Sequence, residues 1–300
     1  MAEPPRLFDR QLHRARLARA ANRFEPFLKA RAAHDLVERL EAVNRRFERA
    51  AELGARTGLF ARVLADSEAA GKVAWLVQAD FSEAMLGRAH GPRIVADESR
   101  LPLADESVDL VVSALSLHWV DDLVGAMIQI HRALKPDGLF LGALFGGATL
   151  TELRQCLTEA EVDLTGGAGP RVSPFLDGYD GAALLQRAGF ALPVADVDTL
   201  TVRYDHPLKL LADLRAMGET NVLLERPGRP LTRRVLARAC ELYAERFASS
   251  DGRVTATFEI VTLTGWAPHP DQQQPLRPGS AKMRLADALH TTERSAGEKA

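Results

Sequence analysis

The 300-residue sequence has little of several features that would define a specialised class of protein. Only two cysteines occur, Cys156 and Cys240, and neither has a second cysteine or histidine at metal-ligand spacing. This excludes a disulfide scaffold and a zinc module, and it is typical of a protein of a reducing compartment. No apolar run approaches the roughly 18 residues of a membrane-spanning helix, so we expect at most peripheral contact with a membrane.

An excess of charge of either sign is also missing. The chain has 38 lysines and arginines against 40 aspartates and glutamates, for a formal net charge of -2. Proteins that bind phosphate backbones without sequence preference carry a basic excess, which argues against nucleic acid as a partner. With 46% hydrophobic residues the chain can bury a sizeable core. These features predict a soluble globular protein, for which we expect a cytoplasmic location.

The N-terminal segment is basic and amphipathic. From Arg10 to Arg23 it is rich in arginine and lacks acids, as organelle transit peptides do. Its apolar residues recur at helical spacing, namely Leu12, Ala15, Ala18 and Ala21. We therefore predict a folded helix there rather than a cleaved presequence. A second apolar stripe runs from Phe27 to Val43, so residues 1–46 are predicted to form an N-terminal helical cap.

Short apolar runs alternate with helical stretches from Phe47 onward. The predicted strands cover residues 47–53, 73–79, 94–96, 108–114 and 139–144, the last after a turn at Lys135–Gly138. Helices are predicted between them at residues 59–69, 82–89 and 122–134. Strands separated by helices of about 10 to 15 residues are typical of βαβ units and of a parallel sheet covered on both faces. Residues 47–147 are therefore predicted to form the core.

The alternation is looser beyond Gly147. Residues 166–170 are rich in glycine and predict a loop. Further elements are predicted as helices 182–188, 208–217 and 231–247 and strands 194–204 and 255–265. Residues 148–267 would complete the sheet and add inserts that cap the substrate, and residues 268–300 are predicted to be extended or disordered.

The predicted fold class is α/β. It is a doubly wound sheet of seven strands, mostly parallel with the last strand antiparallel, with N-terminal helices and C-terminal capping inserts. In such a sheet, ligands bind outside the carboxyl ends of the strands. The first strand runs into the glycine turn Glu52–Gly58, which can bring backbone N–H groups close to a ligand. Alone, such a turn can also join any strand to any helix.

Two acids at successive strand ends add to this signal. Asp80 ends the second strand, where a carboxylate can accept hydrogen bonds from both hydroxyls of an adenosine ribose. Asp97 ends the third strand, where it could accept from the adenine amino group. Each acid alone fits a helix cap or a loop as well. Together they predict an adenosine site.

The glycine turn discriminates between adenosine cofactors. A dinucleotide fingerprint needs a second glycine so that the backbone can approach the pyrophosphate, and Arg56 stands at that position. Leu59 stands at the third glycine position. The remaining pair, Gly54 and Gly58, suits a ligand with a methionine tail. The pattern disfavours NAD(P) and favours S-adenosylmethionine.

Together, these segments resemble the motif series of class I S-adenosylmethionine-dependent methyltransferases. The series is Glu52–Gly58, Asp80–Leu86, Asp97 with Leu101–Leu103, Ser107–Leu110 and Leu134–Gly138. It departs from the usual pattern at Arg56, which replaces the middle glycine. The resemblance implies S-adenosylmethionine as the cofactor. The residues that would hold it are Glu52, Gly54, Ala55, Gly58, Asp80, Phe81, Met85, Asp97 and Glu98.

The flanking segments narrow the resemblance. They are Leu7–Arg10, Ser113–Trp119, Leu185–Phe190, Leu214–Glu219 and Pro278–Ala281. These segments look like those of the bacterial relatives of the mitochondrial NADH:ubiquinone oxidoreductase (complex I) assembly factor 5. That family is similar to the malonyl-carrier-protein O-methyltransferase of biotin synthesis, yet its mitochondrial member is associated with hydroxylation of an arginine on a complex I subunit. The resemblance implies a fold, a cofactor and a complex I subunit as possible partner more directly than it implies a reaction.

Few residues are candidates for the chemistry itself. Methyl transfer from a sulfonium is an in-line displacement that alignment of the reactants can drive without a covalent residue. His118, just past the fourth strand, is the candidate catalytic base, although a packing role fits it too. His131 fits a structural role. Arg171, Tyr179 and Arg215 are candidate contacts to the acceptor, and solvated or capping roles fit them equally.

Three functional hypotheses remain open. The leading one is a methyltransferase whose acceptor is unknown. The second is an arginine hydroxylase acting on a complex I subunit, which needs an oxygen source and an electron donor. No 2-His-1-carboxylate motif is legible for it, and we predict no metal site. The third is an assembly chaperone that binds the cofactor without turnover, for which Arg56 and the lack of a compelling base argue.

Overall fold

The computed structural model describes residues 6–272, 280 and 283–292, and the chain divides into two units, Met1–Pro268 and His269–Ala300. The helices of the first unit are α1 Arg10–Ala20, α2 Phe27–Ala42, α3 Leu59–Ala65, α4 Glu83–Leu86, α5 Leu123–Ala133, α6 Thr151–Thr165, α7 Gly181–Arg187, α8 Pro207–Met217 and α9 Arg233–Phe247. Its strands are β1 Ala50–Leu53, β2 Leu76–Asp80, β3 Arg93–Val95, β4 Val108–Ala114, β5 Leu134–Phe145, β6 Ala191–Tyr204 and β7 Val254–Trp266.

The second unit contains the predicted tail. Its described part includes a one-turn helix, α10, at Leu285–Ala288. Much of the tail that the sequence predicts to be extended or disordered lies outside the described residues, and of the segment 278–281 only Ser280 is described. Among the residues that the structure does describe, no helix is both long enough and apolar enough to cross a membrane.

The seven strands form one sheet in the order β3-β2-β1-β4-β5-β7-β6. The pairs among β1 to β5 are parallel, whereas β7 runs antiparallel to both β5 and β6. This confirms the predicted doubly wound, mostly parallel sheet with an antiparallel last strand. The strand order reverses between β1 and β4, which is the switch point where such sheets bind ligands.

The sheet is covered on both faces because its central strands are apolar on both sides. Along β4, Leu110, Val112 and Ala114 belong to one hydrophobic cluster, with residues of α2, α6, α8 and α9. Val111 belongs to a second cluster, with residues of α5 and α7. This period of two follows from strand geometry. All seven residues of β4 are buried, as expected for a central parallel strand.

Three predictions of local structure need correction. The predicted turn at Lys135–Gly138 lies inside β5, where the register with β4 shifts and Asp137 takes a positive φ of 62°. The third strand ends at Val95, so Asp97 lies beyond the strand rather than at its end. Helix α6 was not predicted, although its buried residues recur at helical spacing: Leu153, Cys156, Leu157 and Ala160.

Candidate functional site

Four acids from the predicted cofactor site come together near the carboxyl ends of β1 to β3. Glu52 and Asp80 are 0% exposed and Glu98 is 4% exposed, while the side chain of Asp97 is 33% exposed. A buried carboxylate is costly unless it is hydrogen-bonded or paired with a cation. The partners of these acids therefore decide what the site can bind.

Both glycines of the turn lie in the left-handed region. Gly54 has a φ of 67° and Gly58 has a φ of 73°. A Cβ atom on Gly54 would lie only 2.1 Å from the side chain of Ser116, so no larger residue fits there without movement. Gly58 immediately precedes α3. The turn predicted from the sequence therefore has a steric reason for both glycines.

Backbone amides of this turn donate to the protein itself. The N–H of Ala55 donates to the carbonyl of Ala79 at 2.9 Å, and the N–H of Gly58 donates to the carbonyl of Ala55 at 2.9 Å. The N–H of Arg56 donates to Oδ2 of Asp80 at 2.7 Å. These three amides stabilise the turn and hold it against β2.

The side chain of Arg56 also lies on Asp80. Its Nη1 donates to Oδ2 of Asp80 at 3.0 Å, and the residue is 2% exposed. Arg56 has a φ of 52°, a conformation that favours glycine. Burial lowers the pKa of this guanidinium, but the charges of Asp80, Glu98 and Glu219 outweigh burial and raise it. The arginine is therefore a fully charged group inside the predicted cofactor site.

Lys29 reaches the site from α2. Its Nζ donates to the carbonyl of Gly54 at 2.7 Å and to the carbonyl of Ala114 at 2.5 Å. Burial lowers the pKa of Lys29, and the nearby Glu52 partly offsets that effect. Burial likewise raises the pKa of Glu52, whose two carboxylate oxygens have no hydrogen-bond partner among the described residues. Lys29 thus links the N-terminal helices to the ends of β1 and β4.

Arg10 of α1 holds the remaining two acids. Its Nη2 donates to Oδ1 of Asp97 at 2.7 Å and to Oε2 of Glu98 at 3.0 Å. Its guanidinium lies 4.0 Å from the centre of the Phe81 ring. Burial raises the pKa of Asp97, but the charge of Arg10 and its hydrogen bonds lower it overall. Met85 packs with Phe81 in a small buried cluster that includes Leu17 and Ala20 of α1.

The residues of this site fit S-adenosylmethionine in kind. Asp80 offers a carboxylate at the end of β2 for ribose hydroxyls. The unpartnered, buried carboxylate of Glu52 is suited to a ligand that brings a positive charge or donor groups. Phe81 and Met85 add apolar surface beside these acids. The fit requires the side chain of Arg56 to leave Asp80, because with Arg56 in place Asp80 keeps only one free acceptor site for two ribose hydroxyls.

His118 lies in a helical turn after β4, Leu117–Trp119. Its Nε2 is 3.2 Å from Oε2 of Glu219, and Nε1 of Trp119 donates to the same oxygen at 3.0 Å. Its Nδ1 is buried and has no partner within residues 6–272. The imidazole packs against Phe145, with 4.8 Å between the ring centres. A catalytic role for His118 stays a prediction.

A cavity of about 880 Å³ adjoins His118. Trp119, Phe145 and Glu219, which all contact His118, line it, and His118 is not among the lining residues. Seven arginines also line the cavity: Arg16, Arg19, Arg23, Arg171, Arg215, Arg226 and Arg229. Glu219 is the one acid among the described residues that line it. The cavity therefore combines an apolar floor with a strongly cationic wall.

The three predicted acceptor contacts differ in their surroundings. Arg215 lines the cavity from α8. Arg171 also lines it, but its guanidinium is bound by Glu161, with Nε 3.0 Å from Oε1. Tyr179 lies in a helical turn, Gly178–Asp180, and its side chain lies outside the described part of the structure. A contact of these residues with an acceptor stays a prediction.

His131 is not among the residues that line the cavity. It packs edge-on against Phe190, with 5.2 Å between the ring centres. Within the described ranges 6–272 and 283–292, no three His, Cys, Asp or Glu side chains come together as a possible metal-binding group.

Sequence reasoning missed two buried polar residues of the site, His13 and Lys29. Both lie on the buried faces of N-terminal helices, with Leu17 and Ala20 beside His13 in α1. A charged or titratable residue within an apolar stripe is the signal that could have found them. His13 packs against Trp119, with 4.7 Å between the ring centres, and so links α1 to the cavity wall.

Comparison with known proteins identifies relatives of this chain. Residues 51–142 match the family model of a methyltransferase domain. The chain is 38% identical to mouse "Arginine-hydroxylase NDUFAF5, mitochondrial" over 98% of this chain and 87% of the relative, and 39% identical to the human protein of that name over 94% and 83%. It is 35% identical to the malonyl-[acyl-carrier protein] O-methyltransferase of Halorhodospira halophila over 86% and 88%.

The fold also matches a solved structure. The YcgJ protein of a Bacillus superimposes on this chain with a TM-score of 0.54 at 15% identity, covering 79% of this chain and 99% of that one. One expectation is wrong in light of the relatives. The cytoplasmic location expected from the sequence is contradicted, because the mouse, human and rat relatives are mitochondrial proteins.

The methyltransferase domain match and the relatives confirm S-adenosylmethionine as the cofactor. They also confirm the resemblance found in the motif series from Glu52 to Gly138. The chain therefore belongs to the class I S-adenosylmethionine-dependent methyltransferase family that includes NDUFAF5 and the malonyl-[acyl-carrier protein] O-methyltransferases.

Proposed function

We propose that this protein transfers a methyl group from S-adenosylmethionine to an acceptor bound in the arginine-lined cavity. The observation that carries the proposal is the position of this cavity, whose wall includes Trp119 and Glu219 next to His118. When bound, the cofactor supplies an activated methyl group on a sulfonium. The residues proposed to hold it are those of the predicted site: Glu52, Gly54, Ala55, Gly58, Asp80, Phe81, Met85, Asp97 and Glu98.

His118 and Glu219 form the proposed proton-accepting pair. The carboxylate of Glu219 accepts a hydrogen bond from Nε2 of His118, which places the proton of the neutral imidazole on Nε2. Nδ1 then carries the free lone pair and is the nitrogen that accepts a proton when the methyl group goes to a hydroxyl or an amine; a carboxylate oxygen is already deprotonated and needs no base. A base that a carboxylate orients in this way is a recurring arrangement in enzymes.

The cationic wall favours an anionic acceptor. Burial, and then the charges of Arg226 and Arg19, lower the pKa of Arg16, so these three arginines repel one another. A carboxylate or another anion would relieve this repulsion, and arginine pairs with carboxylates in a bidentate way. Relatives named malonyl-[acyl-carrier protein] O-methyltransferase act on a carrier-bound acid. We propose a protein-borne or carrier-borne acceptor of this charge, linked to assembly of respiratory complex I.

Arginine hydroxylation is the second candidate. The identity with NDUFAF5 proteins of mouse and human, over 94% or more of this chain, favours it. The charge of the cavity argues against it, because an arginine side chain entering there would meet seven others. A complex I subunit would be the substrate in that case. The third candidate, a chaperone without turnover, predicts no chemical change in any subunit.

Mass spectrometry of complex I subunits separates these candidates. The subunits are compared between cells that contain the protein, cells that lack it, and cells that contain the Asp80→Asn variant. Loss of one methyl group from a subunit in the last two strains supports the proposal. Loss of one oxygen atom instead supports hydroxylation, and impaired assembly with unchanged masses supports the chaperone.

The same comparison covers carrier-bound acceptors if small acidic carrier proteins are included in the measurement. Methylation of a carrier-bound acid that depends on the protein, with unmodified complex I subunits, would place the acceptor outside complex I. Methylation that persists without the protein would contradict the proposed function.

A further inference from the structure

Three cations of this chain lie on the groups assigned to the cofactor. Arg56 binds Asp80, Arg10 binds Asp97 and Glu98, and Lys29 binds the carbonyl of Gly54 and that of Ala114, the last residue of β4. We call Arg10, Lys29 and Arg56 the internal cations. Arg56 is distinct among them, because it stands in the glycine turn itself and its guanidinium is 2% exposed.

We propose that the cofactor site is self-occupied, with Arg56 as a built-in competitor of S-adenosylmethionine for Asp80. The inference rests on the proposed function and adds a regulatory property to the same site. The cofactor binds only when the guanidinium of Arg56 leaves Asp80. The residue at the usual glycine position therefore sets the affinity for the cofactor.

The hydrogen bonds of Asp80 show why the two ligands exclude each other. Its Oδ1 accepts from the N–H of Ser82 at 2.7 Å, and its Oδ2 accepts from both N–H and Nη1 of Arg56. A carboxylate offers about four lone-pair sites, of which three are used here. The two hydroxyls of a ribose cannot both find an acceptor on Asp80. Removal of the Nη1 contact frees the second site.

The surroundings of Arg56 allow the side chain to leave without becoming an isolated charge. Glu98 and Glu219 both stabilise its charge through electrostatic attraction. Its Nη2 is buried and has no hydrogen-bond partner in the described part of the chain, so the contact with Asp80 leaves one donor unused. Movement from Asp80 toward Glu219, which is not among the residues assigned to the cofactor, would keep the guanidinium beside a carboxylate. Arg56 is thus held by competing partners rather than locked by one.

Binding of S-adenosylhomocysteine, measured by calorimetry on the full chain, tests this proposal. The variants are Arg56→Gly, Asp80→Asn and the double variant. Because hydrogen bonds to a charged group are among the strong ones, Arg56→Gly is expected to bind about tenfold more tightly, or better. Glycine also suits the positive φ at this position. In the Asp80→Asn background, the same change is expected to alter affinity by less than about threefold.

Folding and specificity are controlled in the same experiment. Thermal denaturation identifies the folded variants, and Arg56→Gln, which keeps a polar side chain without its charge, replaces Arg56→Gly if the latter does not fold. Lys29→Met removes another internal cation without freeing Asp80. We therefore expect Lys29→Met to bind S-adenosylhomocysteine less tightly than Arg56→Gly does.

The outcomes separate this inference from the proposed function. If wild type binds at least as tightly as Arg56→Gly and Arg56→Gln, Arg56 is not a competitor, while the cofactor assignment stands. If no folded variant binds S-adenosylhomocysteine, including Arg56→Gly, the cofactor assignment and the proposed function fail together. An equal gain in Lys29→Met would assign the effect to total charge and overturn the role of Asp80 in it.

Discussion

His118 and Glu219 are 101 residues apart in the chain, and Nε2 of the first lies 3.2 Å from Oε2 of the second. The contact joins the turn after β4 to the turn after α8. It brings a carboxylate from the C-terminal insert to the histidine that the sequence offers as a base. The pair can be tested from both sides.

Replacement of the histidine separates catalysis from packing. With an acceptor that must lose a proton, a hydroxyl or an amine, we expect His118→Asn to retain affinity for the cofactor while turnover falls by about 10²–10⁴, the usual contribution of a proton-transfer group. Turnover of the proposed acceptor, calorimetry and thermal denaturation are measured on the same preparation. Turnover per folded molecule within about threefold of wild type, together with lower stability, would show that the imidazole only packs against Phe145 and Trp119.

Replacement of the carboxylate tests whether Glu219 acts through His118. We expect Glu219→Gln to lower turnover by about tenfold or more, since the amide no longer stabilises the protonated imidazole. A double variant no slower than His118→Asn alone would show that the two residues act as a unit. Independent, additive losses would count against the pairing.

Removal of the acid at the end of β2 tests the cofactor site. We expect Asp80→Ala to weaken binding of S-adenosylmethionine by about tenfold or more, because a charged acceptor for the ribose is lost. Asp163→Ala is the matched control, since Asp163 is a half-exposed acid on α6 paired with Arg238. Calorimetry on both variants checks the prediction. Wild-type affinity in Asp80→Ala would remove this residue from the site.

His13 predicts a pH dependence of stability. Burial, and then the charges of Arg56 and Arg10, hold the pKa of His13 well below its ordinary value of 6.5. The folded protein therefore keeps this imidazole neutral, while the unfolded chain takes up a proton below pH 6.5. The contribution of the neutral His13 to the free energy of unfolding is complete above pH 6.5. It is lost as pH falls below 6.5, by at most about 1.4 kcal/mol per pH unit.

Urea denaturation between pH 7.5 and 5.5 measures this slope. We expect the free energy of unfolding of wild type to fall toward pH 5.5 more steeply than that of His13→Phe, which keeps an aromatic ring against Trp119. Equal slopes in the two proteins would show that His13 can be protonated in the folded state.

The strand pattern of the sequence was sufficient to predict the sheet and the position of Asp80, because buried parallel strands differ strongly from the helices between them. Local departures from this strand and helix pattern were harder to predict. The bulge that keeps Lys135–Gly138 inside β5 depends on pairing with β4, which a proline-glycine segment does not reveal. Helix α6 has a clear apolar period, and the glycine run that follows it obscured that signal.

The partners of the acids could not be predicted from the sequence. Arg10 and Glu98 are 88 residues apart, and Lys29 and Ala114 are 85 apart, so their contacts depend on how α1 and α2 pack on the finished sheet. Arg56 was visible as a departure from the glycine pattern. Its side chain turns inward to Asp80 rather than outward to solvent. The negative charges around it favour this position, and the sequence does not show which acids those are.

The contacts of Lys29 have a consequence for how the protein can be divided experimentally. The segment that carries the family signature, residues 51–142, contains Glu52 and Asp80 but neither Arg10 nor Lys29. Expressed alone, it would expose the edge of β5 that β7 covers, and it would lose two counter-ions of its acid-rich interior. The unit by which the family is recognised is therefore smaller than the unit that can fold, and a fragment for binding studies must begin before Arg10 and extend past Trp266.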